Sequence, residues 1–350
     1  MSATTPERID DIFVDSFGVT LHYHRWVTPK ARGIIQLAHG LGEHAMRYEQ
    51  LATELSAAGW EVWAQEHRGH GPTGVEQWQG KMDKLGRLGP GGLSATIDNI
   101  AEFRQLIEPE RAGRPLVFLG HSWGSLMGQI LLNRGFAGLL DGVVLSGSTY
   151  RLPGFMNAGD LNARHKHLGG TGAEWLSRDE SVWQRWVDDP LAFEANTLKL
   201  FGPIDAAKLI GVPKKAPLSL PMLLMVGSDD SLGGERGVRR LERAYRVHVA
   251  NGYIPFCSSY KCLSFFHGFK VFLSLLPSCS PHFALVKVGV VDSVLHIMSV
   301  CLLLYSKTQT KTNDLCMKSK LISNIAPLCP SSYGSATYTF SHLKLRDGSI

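Results

Sequence analysis

Cysteine is absent from the first 245 of the 350 residues, and all six cysteines lie between positions 257 and 329. The first part therefore has neither a disulfide framework nor a thiolate metal site. The last part has no glutamate and no tryptophan, although the chain contains eight tryptophans. Because a single folded domain has no physical reason to separate so many residue types at one position, we consider residues 1–245 and 246–350 separately.

The net charge changes sign at the same position. Residues 1–245 contain 26 Lys and Arg against 28 Asp and Glu, a net charge of −2, whereas residues 246–350 contain 10 against 3, a net charge of +7. The surplus lysines are scattered rather than clustered, so we expect no nucleic-acid partner. The overall composition, 44% hydrophobic and 19% charged, is that of an ordinary globular protein and excludes a collagen or coiled-coil class.

The N-terminal residues 1–8 are polar and contain no apolar core of a secretory signal, so we expect a cytoplasmic protein. One apolar stretch in the tail, residues 283–305, is long enough to cross a bilayer. It carries Lys287, Asp292 and His296, however, and a charge at the bilayer centre costs about 2.5–3.5 kcal/mol. We therefore expect no transmembrane span.

Short apolar runs bounded by turn residues alternate with helical patterns through the first part of the chain. Such runs are typical of the buried strands of a parallel sheet. They cover residues 19–27, 33–38, 60–64, 115–119, 142–145 and 221–226. Helical spacing lies between them, and Pro109 is expected to end the helix that contains Ile97 and Phe103. The alternation predicts an α/β fold with a mainly parallel sheet and helices on both faces.

Residues 151–218 interrupt this alternation, because they are rich in aromatic residues but contain no strand pattern. A connection of this length is far longer than usual and predicts a cap or lid insertion. We therefore predict a core in two parts, residues 1–150 and 219–245. Residues 246–350 are predicted to be an atypical tail, non-native or disordered, in place of the final strand and helix of the core.

Gly120-His121-Ser122-Trp123-Gly124 has the G-x-S-x-G pattern, with a strand pattern before it and a helix pattern after it. This context predicts a sharp turn that exposes Ser122 as a nucleophile. The alternative is a glycine-rich turn whose serine has no catalytic role, since it would have the same pattern. An oxyanion site needs two amide donors. The amide of Trp123 is one candidate, and the amide of Leu41, which follows an earlier strand, is the other.

An acid is expected after a late strand, and Gly227-Ser228-Asp229-Asp230 follows the run at 221–226. We choose Asp230 over Asp229 as this acid. The alternative is that both aspartates only form a turn.

No metal or organic cofactor is expected. The two closely spaced histidine pairs, His22 with His24 and His165 with His167, have no neighbouring cysteine or carboxylate in the sequence pattern. Residues 69–74 match G-x-G-x-x-G, but the stretch after them shows no amphipathic helix, so a dinucleotide site is not predicted.

Residues 8–245 resemble the monoacylglycerol lipase and lysophospholipase branch of the α/β-hydrolases, which is grouped with the serine aminopeptidase-like hydrolases. The matching stretches are His39-Gly40-Leu41-Gly42-Glu43-His44-Ala45-Met46-Arg47-Tyr48, His67-Arg68-Gly69-His70-Gly71, Gly120-His121-Ser122-Trp123-Gly124 and Gly227-Ser228-Asp229-Asp230. The resemblance implies an α/β-hydrolase fold with a cap and a serine esterase that acts on monoacylglycerol or lysophospholipid through an acyl-enzyme. It also implies peripheral membrane contact through the cap.

The resemblance assigns roles to seven residues. Ser122 is the nucleophile, Asp230 the acid of the triad, and Leu41 and Trp123 the oxyanion donors. The polar end of the substrate pocket is implied to be lined by Glu43, Arg47 and His121.

The chain departs from the family most at the histidine of the triad, which the family places about 30 residues after the acid. No histidine of the tail lies in a matching motif; the tail contains His248, His267, His282, His296 and His342. A serine hydroxyl is a poor nucleophile without a positioned base. A hydrolase-like protein that binds lipid or a partner without turnover is therefore one alternative. A hydrolase of peptides or small non-lipid esters is another.

Overall fold

The computed structural model describes residues 6–214, 220–246 and 256–259. The chain divides into two units, Met1–Met298 and Ser299–Ile350, and all the described residues belong to the first. The five tail histidines and the apolar stretch at 283–305 lie outside the described residues, as does most of the predicted tail.

Within the described part of the chain, one sheet of eight strands forms the centre of the fold, in the order β1-β2-β4-β3-β5-β6-β7-β8. The strands are β1 (Glu7–Val14), β2 (Thr20–Val27), β3 (Gly33–Ala38), β4 (Trp60–Gln65), β5 (Leu116–His121), β6 (Gly142–Ser146), β7 (Met222–Gly227) and β8 (Phe256–Ser259). The pairs β1–β2 and β2–β4 are antiparallel, and all the other pairs are parallel. The six predicted apolar runs correspond to β2–β7.

The sequence patterns do not predict the two strands at the edges of this sheet. The residues of β1 are almost all exposed, so this strand lacks the apolar alternation that marks a half-buried strand. The final strand, which we expected to be replaced, is represented by β8, which pairs in parallel with β7. With four residues, β8 is too short to give a periodic signal.

Seven α-helices accompany the strands in the described ranges. They are α1 (Glu49–Ala57), α2 (Gly71–Gln77), α3 (Gly92–Arg111), α4 (Trp123–Asn133), α5 (Glu180–Val187), α6 (Thr197–Lys208) and α7 (Gly234–Arg246). The prediction that Pro109 ends α3 is wrong, because the helix continues to Arg111 and is followed by Ala112 with a φ of +48°. A proline in the last turn removes only one backbone donor, and the left-handed residue ends the helix.

Helix α2 is the second correction, because no helix was expected after the glycine-rich stretch at 69–74. Its seven residues include two glycines and a proline in the first turn, and they carry no apolar stripe. Proline is well tolerated at the first helical positions because the N–H that it lacks has no partner there.

The sheet separates two apolar layers. Residues of β3 alternate between them: Ile34 packs with α3 and α4 on one face, and Ile35 and Leu37 pack with α1 on the other. All three side chains are fully buried. Truncating one of them to alanine is expected to cost about 2–5 kcal/mol of folding stability.

A long insertion connects β6 to β7. Its described residues, 151–214, contain α5, α6 and short helical turns but no strand. In the residues that the structure describes, no helix is long and apolar enough to cross a membrane.

Candidate active site

Ser122 occupies the turn between β5 and α4. Its φ of +48° and ψ of −117° lie in a region that non-glycine residues rarely adopt, so the turn is strained. A Cβ atom at Gly120 would lie 2.8 Å from the carbonyl oxygen of Gly124, and one at Gly124 would collide with the carbonyl oxygen of Ala38. The two glycines of the motif are therefore required by close backbone contacts. Within the described residues, the Ser122 hydroxyl has no hydrogen-bond partner.

The loop formed by residues 40–42 lies directly beside Ser122. A Cβ atom at Gly40 would be 3.3 Å from the Cβ of Ser122. The Gly40 N–H donates to Glu43 Oε1 at 2.6 Å, and the Gly42 N–H donates to His70 Nε2 at 3.4 Å. Of the three amides of this loop, only that of Leu41 has no acceptor in the part of the chain that the structure describes.

The second predicted amide donor, Trp123, is the first residue of α4. The N–H groups in the first turn of a helix have no partner within the helix, and the helix dipole makes this end favourable for negative charge. The amides of Ser125 and Leu126 already donate to the carbonyl oxygen of Ser122. A developing oxyanion beside Ser122 could therefore be received by the amides of Leu41 and Trp123.

The two aspartates after β7 have different environments. Asp230 Oδ1 accepts the amides of Leu232, Gly233 and Gly234 at 2.9, 3.0 and 3.1 Å. Among the described residues, Asp230 Oδ2 has no partner, and it would lie 3.7 Å from a Cβ atom at Gly147. One oxygen thus fixes the carboxylate and leaves the other available for a base.

Asp229 is instead engaged by the insertion. His165 Nε2 donates to Asp229 Oδ2 at 3.0 Å, and an Arg164 nitrogen lies 3.3 Å from Oδ1. The hydrogen bond from His165 lowers the pKa of Asp229 below its usual range, and the positive charge of Arg164 acts in the same direction. Sequence reasoning missed this pair, because nothing in the local pattern indicates that residues 64 positions apart meet.

A cavity of about 680 Å³ lies between the carboxyl ends of the sheet strands and the insertion. On the side of the sheet it is lined by His121, Gly147 and Asp230, and on the side of the insertion by His165 and by a mixture of apolar and charged residues. The residues of the insertion include Leu168, Trp175, Leu176, Arg178 and Trp183. Such a mixed lining can hold a molecule with an apolar body and a polar end.

Of the three residues that the resemblance places at the polar end of the pocket, His121 lines this cavity and Glu43 and Arg47 lie elsewhere. Glu43 Oε1 accepts the Tyr48 hydroxyl at 2.5 Å in addition to the Gly40 amide. Arg47 donates to Asp189 of the insertion at 3.0 Å, and His44 Nε2 donates to the same carboxylate oxygen at 2.8 Å.

Three fully buried histidines lie behind the 40–42 loop, and sequence reasoning did not single them out as site residues. The ring centroid of His39 is 4.1 Å from that of His67 and 5.3 Å from that of His70. Burial lowers the pKa of His67 to about 3 and of His70 to about 4, and it holds the pKa of His39 well below its usual range. All three rings are therefore neutral near pH 7. In the sequence, these three histidines can be recognised by their positions in the His-Gly and His-Arg-Gly-His motifs.

The structure assembles no group of three or more His, Cys, Asp or Glu side chains able to hold a metal ion within residues 6–214, 220–246 and 256–259. Several single histidines do have carboxylate partners that the sequence patterns did not indicate. His24 is the clearest case, because its two ring nitrogens lie 2.7 Å from Asp10 and 3.1 Å from Glu66.

A serine on a strained strand-to-helix turn, with unused backbone amides beside it and an acid after a later strand of a mostly parallel sheet, defines the α/β-hydrolase class. The profile of the serine aminopeptidase S33 family matches residues 29–252, and the chain belongs to this family. The family resemblance and the fold class predicted from the sequence are therefore confirmed.

Known relatives match more than half of the chain. The chain is 32% identical to a monoacylglycerol lipase of Mycolicibacterium smegmatis over 257 residues, which cover 67% of this chain and 83% of the relative. It is 29% identical to a human monoglyceride lipase over 223 residues, 60% of this chain and 68% of the relative. The crystal structure of a thermostable carboxyl esterase from Bacillus coagulans superposes with a TM-score of 0.61 at 20% identity, over 77% of this chain and 97% of that one, and supports the fold alone.

Proposed function

We propose that this protein is a serine carboxylic-ester hydrolase that acts on monoacylglycerol or lysophospholipid through a Ser122 acyl-enzyme. The observation that carries this proposal is the position of Ser122, on a strained turn directly beside the loop whose Leu41 amide has no acceptor in the described part of the chain. The two relatives that are named as lipases of monoacylglycerol or monoglyceride support the substrate class.

In the proposed reaction, Ser122 Oγ attacks the acyl carbonyl carbon while a base takes the hydroxyl proton. The electron pair of the carbonyl moves to its oxygen, which receives hydrogen bonds from the amides of Leu41 and Trp123. Asp230 Oδ2 would orient the base and stabilise its protonated form. The intermediate collapses, the alcohol leaves with the proton from the base, and water then attacks the acyl-enzyme to release the fatty acid.

The insertion is proposed to act as the cap over the substrate. Trp175 and Trp183 line the cavity from the insertion and suit an apolar acyl chain. Several of its apolar residues face solvent, and Ile204 on α6 is 79% exposed. Exposed apolar side chains on a cap would contact a lipid surface, and the variant Ile204→Asp should then bind phospholipid vesicles less than the wild type. Vesicle binding that is unchanged in this variant would contradict contact through α6.

The test of the function is hydrolysis of monoacylglycerol, lysophosphatidylcholine and short p-nitrophenyl esters by the full chain. Ser122→Ala should lower kcat by at least about 10³-fold, since a hydroxyl nucleophile has no substitute. Ser56→Ala is the matched control, because Ser56 is buried in α1 and its hydroxyl has no partner in the described residues. Equal rates for the wild type and Ser122→Ala would contradict the proposal, and dependence on acyl length would separate lipid from small esters.

Binding of lipid or of a partner without turnover is the second candidate. The observation that favours it is the lack of a histidine in a matching motif after Asp230. If the wild type is active, alanine variants of the five tail histidines identify the base as the one whose loss abolishes turnover. If the wild type and Ser122→Ala are equally inactive but bind monoacylglycerol, this second function replaces the first. The cytoplasmic location remains a prediction.

A further inference from the structure

The buried histidines behind the 40–42 loop have no part in the reaction described above, yet two of them hydrogen bond to that loop. His39 Nδ1 lies 2.8 Å from the carbonyl oxygen of Gly40, and His70 Nε2 accepts the Gly42 amide at 3.4 Å. The loop is thus held on both sides of Leu41 by imidazole rings. A role for these rings in catalysis rests on the proposed function, because it concerns the oxyanion donor of that site.

The partners of each ring determine which nitrogen carries the proton. A carbonyl oxygen can only accept, so His39 Nδ1 must donate to Gly40, while His39 Nε2 accepts the amide of His67 at 3.0 Å. In the same way, His70 Nδ1 donates to the carbonyl oxygen of Arg68 at 2.8 Å and its Nε2 accepts from Gly42. Both rings are therefore neutral and protonated on Nδ1.

The bond from His39 acts directly on the candidate oxyanion donor. The Gly40 carbonyl and the Leu41 N–H belong to one peptide group, and the described residues contain no cis peptide bond. In a planar trans peptide these two bonds point in opposite directions. Holding the carbonyl towards the buried imidazole therefore turns the Leu41 N–H away from it.

Further contacts hold the residues on either side of this peptide. Glu43 accepts the Gly40 amide, which fixes the preceding peptide group, and Gly40 itself lies against Ser122. On the far side of Leu41, the amide of Phe193 in the insertion donates to the carbonyl oxygen of Gly42 at 3.0 Å. Every polar backbone group of Gly40 and Gly42 thus has a partner.

We propose that His39 and His70 are positioning residues that orient the Leu41 amide towards the oxyanion, each through a neutral imidazole protonated on Nδ1. The groups that face the His39 ring agree with this state. His67 and His70 are neutral neighbours, and Glu66 Oε2, 3.5 Å from His39 Nε2, already accepts the Ala45 amide. A proton on His39 Nε2 would be directed at the N–H of His67.

The kinetic test compares three variants of the full chain. His39→Phe removes the donor, His39→Asn keeps an N–H near the position of Nδ1, and His67→Phe is the matched control. His67 is equally buried, but its ring nitrogens have no hydrogen-bond partner among the described residues. His39→Phe should lower kcat by about 10²–10³-fold with KM within about threefold, as for loss of an oxyanion donor. His39→Asn should recover at least about tenfold of that loss, and His67→Phe should retain kcat within about threefold.

Equal losses of kcat in His39→Phe and His67→Phe would overturn the proposal, since they would indicate packing alone. A change confined to KM or to the melting temperature would also overturn it. His70→Phe should resemble His39→Phe, although its loss should be smaller because the bond to the Gly42 amide is longer.

A second measurement needs no turnover. Long-range ¹H–¹⁵N correlation NMR of histidine-labelled protein reports which ring nitrogen carries the proton, and loss of a signal in His39→Asn assigns the His39 ring. The expected result is a proton on Nδ1 near pH 7. In a second sample labelled with ¹⁵N-leucine, the Leu41 amide signal should shift in His39→Phe but not in His67→Phe. A proton on Nε2 overturns the proposal. If the wild type hydrolyses nothing, the proposed function fails, and these signals still decide the role of His39.

Discussion

At the scale of single residues, the candidate site depends on glycine, because a side chain would not fit where the backbone approaches Ser122 closely. Gly40 is closely surrounded, because a Cβ atom there would lie 2.6 Å from Glu43 Oε1 and 3.3 Å from the Cβ of Ser122. Glu43 accepts the Gly40 amide, and Ser122 is the proposed nucleophile. Gly40 therefore allows the loop to approach the serine.

Gly40→Ala is expected to lower kcat by about 10²-fold or more, because the added Cβ atom would displace Glu43 Oε1, the acceptor of the Gly40 amide, and press on Ser122, so that one oxyanion donor shifts. Gly138→Ala is the matched control, since a Cβ atom there meets nothing within 4 Å. Steady-state kinetics with a soluble ester compare the two. Comparable kcat values for both variants would contradict the position assigned to the 40–42 loop.

The two neighbouring aspartates give a second prediction at this scale. Asp230→Asn should lower kcat by about 10⁴-fold, the loss seen when a triad acid no longer orients its base. Asp229→Asn should lower kcat less than about tenfold, because Asp229 pairs with His165 and Arg164. The reverse order of the two effects would assign the acid to Asp229.

At the scale of elements, carboxylate hydrogen bonds connect the insertion to two loops of the candidate site. Asp189, which follows α5, binds His44 and Arg47 beside the 40–42 loop, and Asp229 after β7 binds the insertion through His165. Arg47 also lies over the ring of Trp186, with its guanidinium carbon 4.9 Å from the ring centroid. We therefore expect movement of the insertion to be coupled to the loop that carries the Leu41 amide.

Asp189→Ala is expected to destabilise the packing of the insertion by about 1–3 kcal/mol, because it removes the acceptor of the His44 N–H and of the Arg47 guanidinium, which are both partly buried. Amide hydrogen exchange should rise in α5 and KM should increase. Asp188→Ala is the control, since its carboxylate bonds only to the exposed Gln184 side chain within the described residues. Exchange in α5 that is equal in the two variants would contradict this coupling.

The secondary-structure elements also show which features the sequence could predict and which it could not. Strands β2–β7 were predictable because each is a short apolar run, whereas β1 is exposed and β8 is short. The candidate residues Ser122, Leu41 and Asp230 follow strands and could be proposed from local motifs. The bond between His44 and Asp189 joins residues 145 positions apart, so no local pattern contains it. The proposed roles of His39 and His70 depend on the direction of individual hydrogen bonds, which the sequence does not contain.

At the scale of the whole molecule, three buried neutral imidazoles make stability depend on pH. Burial lowers the pKa of His67 to about 3 and of His70 to about 4, and it lowers that of His39. In the unfolded chain each titrates near about 6.5, so the unfolded state binds more protons below that pH. His24 acts in the opposite direction, because its bonds to Glu66 and Asp10 outweigh burial and raise its pKa.

The free energy of unfolding is therefore expected to fall as the pH is lowered from about 7.5 to about 5, by at least about 2 kcal/mol. Urea titrations at several pH values measure this slope. His67→Phe should have a shallower slope, because one of the three buried groups is removed. Stability that stays constant or rises over this range would contradict the neutral buried cluster.

The central claim is that Ser122 is the nucleophile, and covalent labelling tests it most directly. The full chain is treated with a long-chain alkyl fluorophosphonate, which reacts with activated serines, and is then analysed by intact mass and peptide mapping. We predict a single adduct on Ser122 in the wild type and none in Ser122→Ala. No adduct on the wild type, or an equal adduct on Ser122→Ala, would contradict the claim.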